Sequence, residues 1–207
     1  MSDLVDFIFA IAVLIMSVVV HEVSHGYMAY ALGDPTAKYA DRLTLNPLKH
    51  LDPFGSVILP VITYLLGGFI FGWAKPVPYN PYNLKNQRWG SALVGAAGPS
   101  ANILIALFFG LFLRFGGTFF ASAEFVQALS AIVFINLLLA FFNLVPIPPL
   151  DGSKILFAFI SRRFPELEYF LEQWGFVLLL FVIFFLFRFL APLIFVVFKL
   201  ITGIGLF

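Results

Sequence analysis

The sequence predicts an all-α polytopic membrane protein with about five to six transmembrane segments and a short re-entrant or strand-like insertion after the first helix. Of its 207 residues, 61% are hydrophobic and only 11% are charged, whereas soluble domains average about 25% charged residues. The apolar residues form runs long enough to cross a bilayer, separated by polar, Pro- and Gly-containing stretches. The length suits one domain over residues 1–207, with a core at about 4–160 and C-terminal apolar segments at 169–207.

Charge and cysteine content exclude several classes of protein. A net charge of +1 argues against nucleic-acid binding, so no nucleic-acid partner is expected. The absence of cysteine excludes disulfides, thiolate metal ligands and a cysteine nucleophile. The first apolar run is too long for a cleavable signal peptide, so we expect it to remain as a transmembrane helix.

The first predicted span runs from Leu4 to Leu32 and ends at Gly33-Asp34-Pro35, where glycine suits a helix C-terminus and proline cannot continue it. This span contains His21-Glu22-Val23-Ser24-His25. On a helix, His21 and His25 lie on one face, four positions apart, so both imidazoles can point at one ion. This H-E-x-x-H pattern is typical of zinc hydrolases, with the glutamate beside a metal-bound water.

The position of the motif adds weight to this interpretation. An ionisable side chain inside a bilayer costs roughly 3 kcal/mol or more on insertion scales. His21, Glu22 and His25 share one apolar helix, and a divalent cation is the simplest compensating partner. The alternative is a polar patch that hydrogen-bonds neighbouring helices.

A polar loop at 34–53 follows, in which His50 is expected to be a solvated histidine; the alternative is a further metal ligand, although no acidic pair lies near it at ligand spacing. The apolar stretch 57–71 is short and contains Pro60 and Gly67-Gly68, so we expect a re-entrant hairpin or a strand-like insertion. Prolines favour extended backbone at 72–81. The aromatic residues around it fit a belt at the membrane surface, and the alternative is an extended edge that pairs with an unfolded substrate strand.

Two further spans are predicted at Ser91–Phe115 and Phe125–Leu144. Asn102 in the first of them is assigned either a helix-packing hydrogen bond or a contact with substrate. After the second, Pro146, Pro148 and Pro149 must unwind the backbone within apolar sequence, which is tolerated only where it is buried in protein or lines a cavity. This segment presents Asn143 and Asp151. Asp151 either caps the short apolar run that follows it or joins the histidine motif in a functional site.

The distribution of basic residues predicts which loops of the protein face the cytoplasm. If 57–71 turns back, one side of the membrane receives most of the Lys and Arg residues, and Arg114 falls on the other side. Positive loops mark the cytoplasmic face, where both the motif helix and the proline-rich segment end. The basic residues on that side are Lys38, Arg42, Lys49, Lys75, Lys85, Arg88, Lys154, Arg162 and Arg163.

These features converge on one predicted site. A catalytic zinc takes three protein ligands and leaves a position open for water. His21 and His25 supply two ligands, and Asp151 is the best third candidate because it alone follows an unwound, apolar-flanked segment. In this scheme one Zn²⁺ per chain activates water and Glu22 takes its proton. Asn143 donates a hydrogen bond to the developing oxyanion.

The two motifs together resemble those of the site-2 protease family of intramembrane zinc metalloproteases, in its small prokaryotic branch. His21-Glu22-Val23-Ser24-His25 is similar to the family's zinc motif, and Asn143 through Gly152 resembles its second motif. Gly98 to Asn102 and the 72–78 stretch also resemble family segments. The resemblance implies cleavage of transmembrane protein substrates inside the lipid bilayer of a prokaryotic cell, and the distribution of basic residues puts the active site nearer the cytoplasmic side.

Other classes of function are less well supported. A membrane metal transporter or metal-binding membrane protein is the main alternative, since transporters also use broken helices with intramembrane His and acidic residues. Against it, the sequence contains no inverted repeat and ligands for only one metal. An inactive scaffold would normally lack the glutamate of the motif, and Glu22 is present.

Overall fold

The computed structural model describes residues 3–58, 62, 75–116, 122–160, 163–181 and 187–204. Within these ranges the protein contains seven α-helices and no β-strand. The helices are α1 (Asp3–Ala31), α2 (Thr36–Tyr39), α3 (Gln87–Phe115), α4 (Ala123–Asn143), α5 (Asp151–Ile160), α6 (Pro165–Phe181) and α7 (Phe187–Thr202). The all-helical class predicted from the sequence is confirmed.

Three of the described helices are long and apolar enough to cross a membrane. They are Leu4–Ala31 within α1, together with α3 and α4. The total of five to six segments stays a prediction, because α5, α6 and α7 are shorter, at 10, 17 and 16 residues. A π-helix over Pro53–Ile58 precedes the predicted insertion. The insertion itself, at 57–71, lies almost wholly outside the described residues.

Helix ends follow the local signals in the sequence. Gly33 has a φ of +108°, and the N–H groups of Gly33 and Asp34 donate to the carbonyls of Tyr30 and Ala29. This is the Schellman arrangement, and it needs a residue that accepts the left-handed region. At the start of α3 the Asn86 side chain accepts from Trp89 N, which satisfies one of the unpaired donors of the first turn.

Helix α3 lies at the centre of the bundle and packs on α1, α4, α5 and α7. The C-terminal half of α3 joins α4 and α7 in the main apolar cluster. This cluster includes Ala106, Val133 and Phe198, all with no exposed surface. Outward-facing side chains of the candidate spans are also apolar, including Leu4 and Ile8 on α1 and Phe108 on α3. Apolar residues on both the inner and outer faces are what a lipid-embedded bundle requires.

Asp34 ties the end of α1 to the chain that leads into α3. Its Oδ1 accepts hydrogen bonds from the Thr36 hydroxyl at 2.5 Å and Asn83 Nδ2 at 2.8 Å, and its Oδ2 accepts from Asn80 N at 2.6 Å. Burial alone would raise the pKa of this carboxyl, but the donors from Thr36, Asn83 and Asn80 hold its pKa below the usual value. The ionised carboxylate therefore links two loops beside the site.

Replacing this carboxylate by an amide, Asp34→Asn, should destabilise the protein. An amide NH₂ would face donors, so at least one partly buried N–H loses its acceptor, at a cost of about 1–3 kcal/mol. The measurement is the thermal unfolding midpoint in detergent. Asp41→Asn is the control, because the Asp41 side chain is 88% exposed and only bridges Lys49 at 3.6 Å, an interaction of at most about 1 kcal/mol. Equal midpoints for the two variants would contradict this role for Asp34.

Candidate metal centre

The histidine motif lies on the inner face of α1, as its spacing predicts. His21 and His25 are both buried, and their rings stand edge to face with centroids 4.7 Å apart. Ligand atoms of His21, Glu22 and His25 all lie within 4.8 Å of one another. At 1.5 Å rise per residue, the two histidines lie roughly 9 and 15 Å along the axis from the last residue of α1. The group is therefore well inside the candidate span.

The proline-rich segment after α4 brings Asp151 to the same point. The chain is non-helical from Leu144 to Leu150 and becomes helical again at Asp151, the first residue of α5. Gly152 packs directly on the Leu144 carbonyl, where no side chain would fit. The resulting turn places Asp151 Oδ2 at 3.0 Å from Nε2 of both His21 and His25.

The hydrogen bonds on the far side of each ring indicate the tautomers. His25 Nδ1 lies 2.6 Å from the Val94 carbonyl, which can only accept, so this nitrogen carries the proton. Asn102 Nδ2 donates to the Ser17 carbonyl, so the opposite amide atom, Oδ1, is the one that faces His21 Nδ1 at 2.6 Å. In the neutral form of each ring the proton is therefore on Nδ1, and Nε2 is the nitrogen that faces the centre with its lone pair.

Two Nε2 atoms thus meet one carboxylate oxygen, and with both rings neutral there is no proton donor among the three. A divalent cation satisfies this arrangement, and two imidazoles with a carboxylate are a donor set that zinc accepts. Tetrahedral zinc with ligands at 2.0–2.1 Å separates neighbouring ligand atoms by about 3.3 Å, close to the 3.0 Å found here. The residues present therefore fit the predicted metal.

Gly98 of α3 lies directly against the two imidazole rings of this centre. A Cβ built on Gly98 would lie 2.6 Å from Nε2 of both His21 and His25. Only a residue without a side chain allows α3 to approach the imidazoles this closely and leaves the space in front of both nitrogens free.

Glu22 points into an adjoining cavity of about 190 Å³ that His21, His25, Asn143 and Asp151 also line. Its Oε2 accepts a 2.8 Å hydrogen bond from Val77 N, which orients the carboxylate. Asn143 reaches the cavity from the last turn of α4, where its Nδ2 donates to the Leu139 carbonyl at 3.0 Å. Both residues predicted to be catalytic therefore lie beside the three predicted ligands.

The backbone that presents Val77 is held from the preceding loop. Residues 75–80 form neither helix nor strand, and Pro76, Val77 and Tyr79 line the cavity. The buried Arg42 side chain donates from Nη2 to the carbonyls of Lys75 and Pro76, at 2.6 and 3.3 Å. Whether this segment pairs with a substrate strand stays a prediction, but its Val77 N–H is already used by Glu22.

Asn102 does not lie where the substrate contact considered for it would require. It has no exposed surface and does not line the cavity. Its Nδ2 donates to Asn136 Oδ1 at 2.8 Å, and Asn136 Nδ2 donates to Ser17 Oγ at 2.9 Å. This buried network links α1, α3 and α4 behind His21, which matches the helix-packing alternative and fixes the imidazole.

Sequence reasoning missed Asn136, Ser17 and Lys154. An asparagine in an apolar span signals a hydrogen bond but does not identify its partner. Lys154 Nζ donates to Asp151 Oδ1 at 2.8 Å, and its side chain lines the cavity. Its spacing of three residues from Asp151 on a helix was the available signal.

The expectation of a solvated His50 was wrong, because this residue is 1% exposed and its Nε2 is 2.8 Å from the Thr44 carbonyl.

The chain is similar to proteins whose names describe zinc metalloproteases, in agreement with the donor set found here. "Putative zinc metalloprotease YwhC" of Bacillus subtilis is 43% identical over 155 residues, which cover 72% of this chain and 67% of that protein. "Putative zinc metalloprotease Rip2" of Mycolicibacterium smegmatis is 34% identical over 83% of this chain and 65% of its own length. Rip2 of Mycobacterium tuberculosis is 30% identical over 72% of this chain and 56% of its own length. No solved structure matches significantly.

The chain thus spans about two thirds or less of these relatives. A family model described as "Peptidase family M50" matches residues 9–118 and 114–182, and so includes both motifs. The match and the apolar helices identify an integral membrane protein. The chain belongs to peptidase family M50, the site-2 protease family that its two motifs resemble.

Proposed function

We propose that this protein is an intramembrane zinc endopeptidase that cleaves transmembrane segments of membrane proteins. The observation that carries the proposal is that Nε2 of both His21 and His25 lies 3.0 Å from one carboxylate oxygen of Asp151, beside a glutamate in a cavity of a membrane-spanning bundle. His21, His25 and Asp151 hold the metal. The names of the curated relatives support zinc as that metal.

Bound zinc supplies Lewis acidity that polarises the scissile carbonyl and makes water acidic enough to react near neutral pH. Glu22 accepts the proton of the attacking water and later transfers it to the leaving amine, so each proton stays within the cavity. The Val77 N–H keeps the Glu22 carboxylate oriented for this transfer. Asn143 donates from its amide to the carbonyl oxygen as negative charge develops there.

The surroundings of the site suit a peptide drawn from the bilayer. The cavity is lined by residues from two stretches of irregular backbone, at Leu144–Leu150 and at 75–80. A transmembrane helix must unwind before its peptide bond can enter, because its carbonyls are otherwise hydrogen-bonded. We place the site toward the cytoplasmic side of a prokaryotic membrane, since α1 ends there next to basic loops.

Glu22→Gln tests the proposed base. The variant should keep zinc, because Glu22 is not one of the ligands, while cleavage falls roughly 10²–10⁴-fold with loss of the proton acceptor. Zinc content is measured on the purified protein, and cleavage on co-reconstituted single-span membrane proteins tagged at both ends. Glu172→Gln, an exposed glutamate of α6, is the matched control and should match the wild type.

Two results would overturn this proposal. Normal cleavage by Glu22→Gln would remove the general-base assignment. Zinc flux into sealed vesicles that depends on His21 and His25, without cleavage of any substrate, would favour the transporter alternative.

Asp151→Asn tests the third ligand. The amide lacks the negative charge and the second equivalent oxygen, so zinc affinity should fall by about 100-fold or more, given that even outer-shell partners cost 10–100-fold. Affinity is measured by competition with a chromogenic chelator. Asp41→Asn is the exposed control. An unchanged affinity in Asp151→Asn would move the third ligand elsewhere.

Gly98→Ala tests the close approach of α3. The methyl group would lie 2.6 Å from both Nε2 atoms, in the space in front of them, so zinc stoichiometry should fall well below one. Helical folding should not suffer from propensity, because alanine is favoured over glycine by about 1 kcal/mol in a helix. Ser100→Ala, an exposed position in the same helix, is the control. Full zinc occupancy in a folded Gly98→Ala protein would contradict the geometry.

A further inference from the structure

Lys154 divides the two oxygens of the Asp151 carboxylate between different partners. Its Nζ donates to Oδ1 at 2.8 Å, while Oδ2 faces Nε2 of His21 and His25 at 3.0 Å each. The Asp151 side chain is 9% exposed, so little of this carboxylate is left to solvent. One oxygen is therefore held by an ammonium group and the other is directed to the centre.

The lysine side chain is held in place along its length. A Cβ built on Gly95 of α3 would lie 3.0 Å from Lys154 Cβ and 3.1 Å from its Cδ, so the stem crosses the α3 backbone where only glycine leaves room. At its other end the ammonium lies 5.4 Å from the centroid of the Tyr79 ring, within range of a cation–π interaction. An exposed lysine normally has many rotamers, and here packing limits them.

This arrangement has a consequence for any cation at the centre. A carboxylate can bind a metal through one oxygen or through both. An ammonium group fixed on Oδ1 blocks that oxygen and stops rotation of the carboxylate, which leaves Oδ2 as the single ligand atom. The lysine itself cannot bind a cation while it is protonated.

We propose that Lys154 is a positioning residue that holds Asp151 as a one-oxygen ligand of the metal. This inference rests on the proposed metal site and adds a residue to it. Lys154 lies on α5 one turn after Asp151, so it moves with the ligand and supports it directly. It acts through Asp151, and so affects how the metal is held.

A purely structural role makes a different prediction. If the ion pair between Lys154 and Asp151 only supported the helix, its loss would lower the thermal unfolding midpoint and leave metal binding unchanged. If Lys154 positions the ligand, its removal should change both the affinity for zinc and the number of oxygens bound to it. Both quantities can be measured without any substrate.

The experiment compares Lys154→Met and Lys154→Arg with the wild type, as full-length protein in detergent. Zinc affinity, measured by chelator competition, should fall 10–100-fold in Lys154→Met, the range found for outer-shell partners of metal ligands. Lys154→Arg keeps a charged donor and should recover most of the affinity. Zinc X-ray absorption should show one carboxylate oxygen in the wild type and two in Lys154→Met.

Lys49→Met is the matched control, because it removes the lysine of an exposed ion pair with Asp41 and should bind zinc as the wild type does. If Lys154→Met does not fold, Lys154→Gln carries the test, with reduced affinity as the expected result. Wild-type affinity and oxygen count in folded Lys154→Met or Lys154→Gln would overturn this inference alone. A wild-type protein that binds no zinc would instead overturn the proposed function.

Discussion

The structure depends on one electrostatic constraint, the convergence of three electron-pair donors at a point inside an apolar bundle. Nε2 of each histidine lies 3.0 Å from Asp151 Oδ2, and the partner at Nδ1 favours a proton on that opposite nitrogen. With both imidazoles neutral, the three lone pairs repel one another unless a positive charge lies between them. The surrounding helices are built to maintain it, through Gly98 in front of the rings and a buried network behind His21.

Several parts of the fold follow from short-range signals. The end of α1 was predictable because Gly33 and Pro35 act locally on the backbone, and the structure confirms it within a residue. The break before Asp151 was predictable because Pro146, Pro148 and Pro149 cannot continue a helix. Since both motifs have chemically distinct residues, the meeting of His21, His25 and Asp151 could be inferred without coordinates.

Other parts of the site depend on contacts that local sequence does not encode. Lys154 entered the sequence analysis only as one basic residue among those that set orientation, because its bond to Asp151 matters only once Asp151 is placed. The Ser17–Asn102–Asn136 network joins three helices, and apolar spans carry no signal of which polar residues meet. His50 looked solvated because a polar loop gives no indication that it folds back and buries its own side chain.

The hydrogen bond from Val77 N to Glu22 orients this carboxylate from a different part of the chain than the one that orients the ligands. The ligands are supported by the helices, through Asn102, the Val94 carbonyl and Lys154. The glutamate takes its support from a stretch of chain outside the helices, which Arg42 anchors through two carbonyls. Damage to that anchor would therefore leave a fully loaded but misaligned enzyme, so that metal content and turnover would no longer report the same defect.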